Sequence, residues 1–420
     1  MNIFLCGANG FIGRHLEQAL SAAGHHVVRG VRTPRSGSDI AIDYVHDTCV
    51  EAWLPRLVAM DAVINAVGIL NEEGQSTFNA LHRDAPTALF DACLQAKVRH
   101  VVQISALGGE QQAECLTPYL RSKREADAHL MGLPLDWTIL RPSLIVGADG
   151  ESSRVFRTLA SMPVIGLPGK GAQELQPVHI DDVCVAVVNI LASSAPGRQV
   201  INAVGPEAMT YKKMLEHYRH AMALATPLYL PIPMTLVHFF ARLTSKLPQH
   251  LLSEDTLIML EQGNTADPAP FQQKVGRLLK GPDQWFSAMP PDMLRMEASW
   301  RWIRPVFQLT LALVWIVTGI LSMGIYPVED SYALLAQVGL QGAFASVALY
   351  GAALLDIGLG IATLVRPGRW LWRMQIAIMA GYTVIISFFL PEFWLHPFGP
   401  ILKNLPILAL LIALDATEGK

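Results

Sequence analysis

Asn2-Ile3-Phe4-Leu5-Cys6-Gly7-Ala8-Asn9-Gly10-Phe11-Ile12-Gly13 decides the fold. The apolar run 2–6 reads as a buried first strand, and the glycines at 7, 10 and 13 read as a tight turn into a helix. Each glycine has its own job there. Gly7 permits the turn, Gly10 lets the backbone approach a ligand, and Gly13 lets the helix pack close to the sheet. The spacing is G-x-x-G-x-x-G rather than G-x-G-x-x-G. A strand, a glycine turn and an opening helix point backbone N–H groups at an anion. The anion this geometry seats is a dinucleotide pyrophosphate. Gly7, Asn9, Gly10, Phe11, Ile12 and Gly13 are therefore the candidate contacts.

Outward from that turn, strand-like runs alternate with helical stretches to about residue 205, which predicts an α/β Rossmann-type, doubly wound parallel sheet. Strands are expected at 2–6, 26–31, 40–42, 62–67, 101–105 and 137–140, with helices near 11–23 and 78–96 and one containing 119–130. The fourth strand carries Asn65 and ends at Ala66-Val67-Gly68, a second candidate cofactor stretch. The end of the second strand separates NAD from NADP. An acid there holds the ribose diol of NAD, but Val28-Arg29-Gly30-Val31-Arg32-Thr33-Pro34-Arg35 has no acid before Asp39. Guanidinium groups suit a 2′-phosphate. The expected cofactor is thus NADP(H), with NAD(H) the other option, and Arg32 is the lead contact, helped by Arg35 or Arg29.

Tyr119 and Lys123 lie four apart, on one face of one helix turn. A phenol is a poor acid at neutral pH, and a nearby ammonium stabilises its phenolate, bringing it into range for proton exchange with a carbonyl or alcohol. Ser105 ends the strand before them.

At this point the chain resembles the extended and atypical branch of the short-chain dehydrogenase/reductases, in particular the group containing the nucleotide-binding accessory subunit of respiratory complex I. The resemblance is carried by Gly7 to Gly13, Asp61 to Gly68, Ile104 to Gly108, Tyr119 to Lys123, Trp137 to Ser143 and Gln176 to Val183. It implies that Gly7, Gly10 and Gly13 bind pyrophosphate, Tyr119 is the general acid/base, Lys123 holds the nicotinamide ribose, and Ser105 is the accessory catalytic hydroxyl. Ser105 lies only fourteen residues before Tyr119, a shorter interval than the pattern usually has.

No metal is expected. His179 with Asp181 and Asp182 sits at a strand-to-helix junction, where Asp181 or Asp182 would cap the helix. The formal charge of −3 gives no reason to expect a nucleic-acid partner. Cys6, Cys49, Cys93, Cys115 and Cys184 fit neither a metal site nor a disulfide framework, and read as reduced cytosolic thiols. With residue 2 already in the first strand, no signal peptide is expected. Residues 1–205 are read as the nucleotide domain and 206–300 as a mixed α lid and linker region, with an apolar helix at 234–247 that packs as a lid or lies in a membrane interface.

Residues 301–420 read as a four-helix transmembrane bundle. Val306 to Ile325, Phe344 to Val365, Leu371 to Leu390 and the shorter Phe398 to Leu414 are mainly apolar. Arg301 and Arg304 before the first span agree with Arg366, Arg369 and Arg373 between the second and third, while Glu329, Asp330 and Glu392 lie on the other side. The rule that positive charge stays inside then places the N-terminal domain and the C-terminus in the cytoplasm of a multi-pass protein of the inner or plasma membrane. This half resembles the DoxX-like membrane domain in helix count, short loops and its Arg366-Pro-Gly-Arg369 turn. Asp356 is a mid-span acid, and Lys403 is its candidate partner. The expected protein is a membrane-anchored NAD(P)(H)-binding oxidoreductase acting on a lipophilic carbonyl or alcohol, such as a lipid or quinone. The rival is a nucleotide-binding assembly or redox-sensing factor without turnover.

Overall fold

The computed structural model describes residues 1–108, 117–193, 197–244 and 254–419. They form two compact units, Met1–Ala298 and Ser299–Lys420.

The first unit is built on a seven-stranded sheet: β1 (Asn2–Cys6), β2 (His26–Val31), β3 (Asp39–Ala41), β4 (Ala62–Asn65), β5 (His100–Ile104), β6 (Trp137–Pro142) and β7 (Gln199–Ala203). Their order is β7-β6-β5-β4-β1-β2-β3, every pair parallel. Both faces are covered, which is why β1 reads as a continuous apolar run. Ile3 and Leu5 enter one core with Leu16, Val183 and Val187, and Phe4 and Cys6 enter the other with Trp53, Val63 and Leu89. The chain runs outward from β1 in one direction, then returns and runs outward from β4 in the other. The crevice at the carboxyl ends of β1 and β4 is therefore the switch point where such sheets bind ligands. Register places Cys6 opposite Asn65, so the glycine turn and the Ala66–Gly68 stretch leave the sheet side by side.

Two local readings change. The helix expected at 78–96 begins as a π-helical turn, Asn79–Asp84, and becomes α-helical only over Ala85–Gln95. The cap of helix Ile180–Ala192 is not an aspartate: His179 Nδ1 accepts the Asp181 N–H at 3.2 Å. Asp181 and Asp182 reach the 277–280 segment instead. Lys280 Nζ lies 2.5 Å from Asp181, Arg277 lies 2.7 Å from Asp182, and the Lys280 N–H donates to Asp182 at 2.7 Å. The apolar helix of the 234–247 stretch spans Met234–Thr244, and residues 245–247 lie outside the described residues. So does Cys115. Cys6, Cys93 and Cys184 are buried and Cys49 is exposed.

The second unit holds the apolar helices. Three segments, Pro291–Ile325, Gly342–Val365 and Arg369–Phe389, are long and apolar enough to cross a membrane. The fourth expected span is a correction: helix Asn404–Thr417 has 14 residues, about 21 Å of rise, against a hydrocarbon core of about 30 Å. Gly399 at φ +51° and the short turns from Pro391 to Lys403 break the apolar run that composition alone joined to it. Trp315 Nε1 donates to Gln375 Oε1 at 2.9 Å and Gln375 Nε2 to Thr363 Oγ1 at 2.8 Å, tying three helices together. Arg304 pairs with Glu418 at 2.6 Å and Arg373 with Asp415 at 3.2 Å. Among the described residues no ion pair joins Asp356 to Lys403, and Asp356 Oδ1 is buried without a hydrogen-bond partner.

Candidate active site

At the glycine turn the backbone accounts for two glycines without any ligand. Gly7 sits at φ +81°, and a Cβ on Gly13 would lie 2.1 Å from the Gly7 carbonyl oxygen. Gly10 is different. Its φ of −71° suits any residue, and an added Cβ would meet only the Gly7 oxygen, at 3.2 Å. Gly10 is also the N-cap of helix Phe11–Ala22, which has no side-chain cap and no acid in its first turn. The first amides of that helix have no intrahelical acceptor, and the positive end of the dipole faces the same opening. An uncapped helix end beside a glycine at an ordinary φ fits a pyrophosphate. The Phe11 ring leans edge-on to His15 at 5.3 Å and fills the space at Gly147, while Ile12 packs against the core. These two residues therefore offer the opening their backbone rather than their side chains. Asn9 Oδ1 accepts from Arg29 Nη2 at 2.7 Å.

The loop after β2 separates three arginines. Arg29 is committed to Glu17 at 3.2 Å and Asp39 at 3.5 Å, as well as to Asn9. Arg32 and Arg35 are exposed, and no hydrogen bond or ion pair is seen for either guanidinium among the described residues, although Arg32 is near enough to Asp43 to help lower its carboxyl. Asp39, the first acid after the strand, accepts the N–H groups of Arg35 at 2.6 Å and Ser36 at 3.1 Å. These bonds hold its carboxyl below the usual range and engage it in shaping the loop.

At β4 the buried Asn65 makes three hydrogen bonds. Its Oδ1 accepts from Tyr44 Oη at 2.8 Å and the Val67 N–H at 3.2 Å, and its Nδ2 donates to Gln103 at 2.8 Å. Asn65 thereby shapes the strand end. Ala66 and Val67 pass against the turn, 3.1 Å from a Cβ on Gly7, and a Cβ on Gly68 would lie 3.4 Å from Lys123 Nζ.

Thr117 starts the next helix, Pro118–Gly132, by accepting the Leu120 N–H at 3.3 Å. Lys123 Nζ lies 6.0 Å from the centroid of the Tyr119 ring and donates to the Ile104 carbonyl at 3.2 Å. Burial lowers the ammonium to about 8, leaving it mostly charged at neutral pH. Tyr119 moves the other way from the expectation. Its ring is partly exposed, but burial pushes the phenol up to about 12, because the ammonium is held at Ile104 while desolvation acts directly on the hydroxyl. Ser105 Oγ donates to Asp127 Oδ2 at 2.8 Å, which also receives Arg141 Nε at 3.1 Å. The structure thus gathers the glycine turn, Gly68, Tyr119 and Lys123 around one crevice, and commits the Ser105 hydroxyl to a buried carboxylate.

One residue of this cluster has no signal in the sequence. His82, 1% exposed, lies in the π-helical turn with its ring edge-on to Tyr119 at 5.2 Å. π-turns concentrate at functional sites, but a histidine within a helical apolar pattern gives no hint of one. Burial, then the Lys123 charge, lowers its pKa to about 2. The unfolded chain therefore binds a proton below about 6.5 that the folded chain refuses. Stability present at pH 7 falls as pH drops below 6.5, by up to about 1.4 kcal/mol per unit. Denaturant unfolding at pH 7 and pH 5 should show roughly 2 kcal/mol of acid sensitivity from this group, absent in His82→Gln.

Residues 7–173 match the NAD(P)H-binding family, and residues 312–412 match the DoxX-like family. A ceramide reductase of Caulobacter vibrioides is 24% identical over 237 residues, covering 55% of this chain and 73% of that protein. NADH dehydrogenase (ubiquinone) 1 alpha subcomplex subunit 9 of Arabidopsis thaliana is 25% identical over 253 residues, covering 56% of this chain and 61% of the relative's own length. Among solved structures, MoeE5 in complex with UDP-glucuronic acid and NAD superposes with a TM-score of 0.54 at 20% identity, over 70% of this chain and 99% of that one. At that identity the likeness shows the fold alone. The chain thus joins a stretch that matches an NAD(P)H-binding family to a C-terminal stretch that matches a DoxX-like family, and three of its helices are long and apolar enough to cross a membrane.

Proposed function

We propose that this chain is a membrane-anchored, NADP(H)-dependent reductase or dehydrogenase for a lipophilic carbonyl or alcohol, with Tyr119 as its proton donor and acceptor. The observation that carries the reading is the convergence of the uncapped glycine turn with Tyr119 and Lys123 at the switch point of the sheet. The backbone of Gly7, Asn9, Gly10, Phe11, Ile12 and Gly13 holds the pyrophosphate, Ala66 to Gly68 line the crevice, and Lys123 holds the nicotinamide ribose. When bound there, a nicotinamide dinucleotide would supply or accept the hydride. In the reducing direction Tyr119 would give its hydroxyl proton to the substrate oxygen, a transfer that its raised pKa opposes and that a closer approach of the Lys123 ammonium would have to offset. Ser105 supports this helix through Asp127 rather than acting as an accessory catalytic hydroxyl.

The exposed Arg32 and Arg35, beside an Asp39 already engaged by backbone amides, favour NADP(H) over NAD(H). Arg32→Ala should raise the Kd for NADPH about tenfold and leave that for NADH unchanged. Fluorescence titration of both cofactors checks this, and equal losses for the two would refute the assignment.

The similarity to a ceramide reductase supports a lipid carbonyl over a quinone. Residues 1–205 act as the nucleotide domain, 206–300 as its substrate lid and linker, and 301–420 as the membrane anchor. The Arg304–Glu418 pair at 2.6 Å supports a topology in which the start of the first span and the C-terminus share one side, and the arginines there favour the cytoplasm. In a Cys115→Ser background, the exposed Cys49 should react with a membrane-impermeant maleimide only after the cells are opened. Labelling of intact spheroplasts would reverse the topology. The decisive experiment supplies the purified chain in nanodiscs with NADPH and long-chain lipid ketones and follows NADPH oxidation. Binding without oxidation across lipid and quinone substrates would favour a nucleotide-binding factor without turnover.

A further inference from the structure

We infer that His82 is a positioning residue that ties the loop after β4 to the helix presenting Tyr119 and Lys123, and so sets the nicotinamide end of the crevice. The inference rests on the dinucleotide reading above. Its first support is a tautomer the geometry dictates. His82 Nε2 lies 3.0 Å from the Ile69 backbone nitrogen. A backbone N–H only donates, so Nε2 accepts and the ring proton is on Nδ1. That proton faces Ser122 Oγ at 3.2 Å, and the Ser122 hydroxyl donates onward to the Tyr119 carbonyl at 2.9 Å. One directional chain of hydrogen bonds therefore runs from the Gly68–Ile69 loop, through the imidazole, into the first turn of the Tyr119 helix.

The second support is the packing of the ring. Phe78 stacks on one face of His82 at 5.6 Å and 21°, and Tyr119 meets it edge-on at 5.2 Å and 89°, while Phe78 and Tyr119 themselves meet at 5.8 Å and 80°. Three rings from two elements thus fix one another. The loop that His82 holds is the one whose Gly68 lies beside Lys123 Nζ. Without the imidazole, the Ile69 N–H loses its acceptor and the loop loses its link to the helix. The glycine turn and the β2 loop make none of these contacts, so their half of the crevice is left intact.

That asymmetry gives the test. The full chain in nanodiscs is titrated calorimetrically with NADPH and with 2′-phospho-ADP-ribose, which lacks the nicotinamide. His82→Ala should weaken NADPH about tenfold and leave 2′-phospho-ADP-ribose within about twofold. His82→Gln, whose Oε1 can take the Ile69 N–H, should recover most of the loss. Ser122→Ala, which cuts the other half of the tether while keeping all three rings, should show a smaller loss in the same direction. Unchanged NADPH affinity in His82→Ala overturns the inference, as does an equal loss for both ligands, which would mark a merely structural residue. If the parent chain binds neither ligand, the dinucleotide reading itself falls.

Discussion

Gly10→Val should abolish dinucleotide binding, by at least about 100-fold in Kd, in a protein that still folds. The turn contains two kinds of glycine, and the prediction follows from the difference. Gly13 is required by the fold, since a Cβ there would sit 2.1 Å from the Gly7 oxygen, deep inside contact distance. Gly13→Ala should therefore cost about 3 kcal/mol or more of stability and lose binding only as a consequence. Gly10 has an ordinary φ and a single neighbour, the Gly7 oxygen at 3.2 Å, which would have to shift by only a few tenths of an ångström. Its bareness is demanded by the protein alone far less than that of Gly13. It makes sense as clearance for an anion at the uncapped end of helix Phe11–Ala22. Calorimetric titration with NADPH and NADH, set beside thermal unfolding, separates the two variants. If Gly10→Val binds as the parent does, the turn is only a turn.

Tyr119→Phe is expected to keep the nucleotide and lose turnover, by roughly 10²- to 10⁴-fold, the range proton transfer by a placed side chain contributes. The ring is held by Phe78 and His82 through its edges and faces, and no hydrogen bond from its hydroxyl is seen among the described residues, so removing one oxygen leaves the packing whole. Lys123 keeps its bond to Ile104 in the variant, and with it the place beside Gly68. NADPH affinity should therefore stay within about twofold. A silent Tyr119→Phe, combined with a loss of function in Gly10→Val, would mean that the chain acts by binding nucleotide and not by turning it over.

What could be read from the chain and what could not divide along the range of the interactions involved. The parallel sheet and the anion-seating turn were legible because they depend on short-range rules: a doubly covered strand is apolar throughout, and only glycine occupies φ +81° cheaply at position 7. The long apolar helices were legible for the same kind of reason, since hydrocarbon demands unbroken length. The fourth was overcounted because hydropathy does not see a turn at Gly399. Long-range pairing decided the rest. Arg29 looked like a helper of Arg32 until Glu17 and Asp39 claimed it. Ser105 looked free until Asp127, 22 residues away, accepted its hydrogen bond. The acids after His179 looked like caps until the 277–280 segment reached them, and His82 gained its neighbours only through a π-turn and a helix 40 residues on. Local propensity fixes where the backbone turns and what it can seat, whereas each polar group is committed by whichever partner the fold brings within three ångströms, and spacing along a chain carries no record of that.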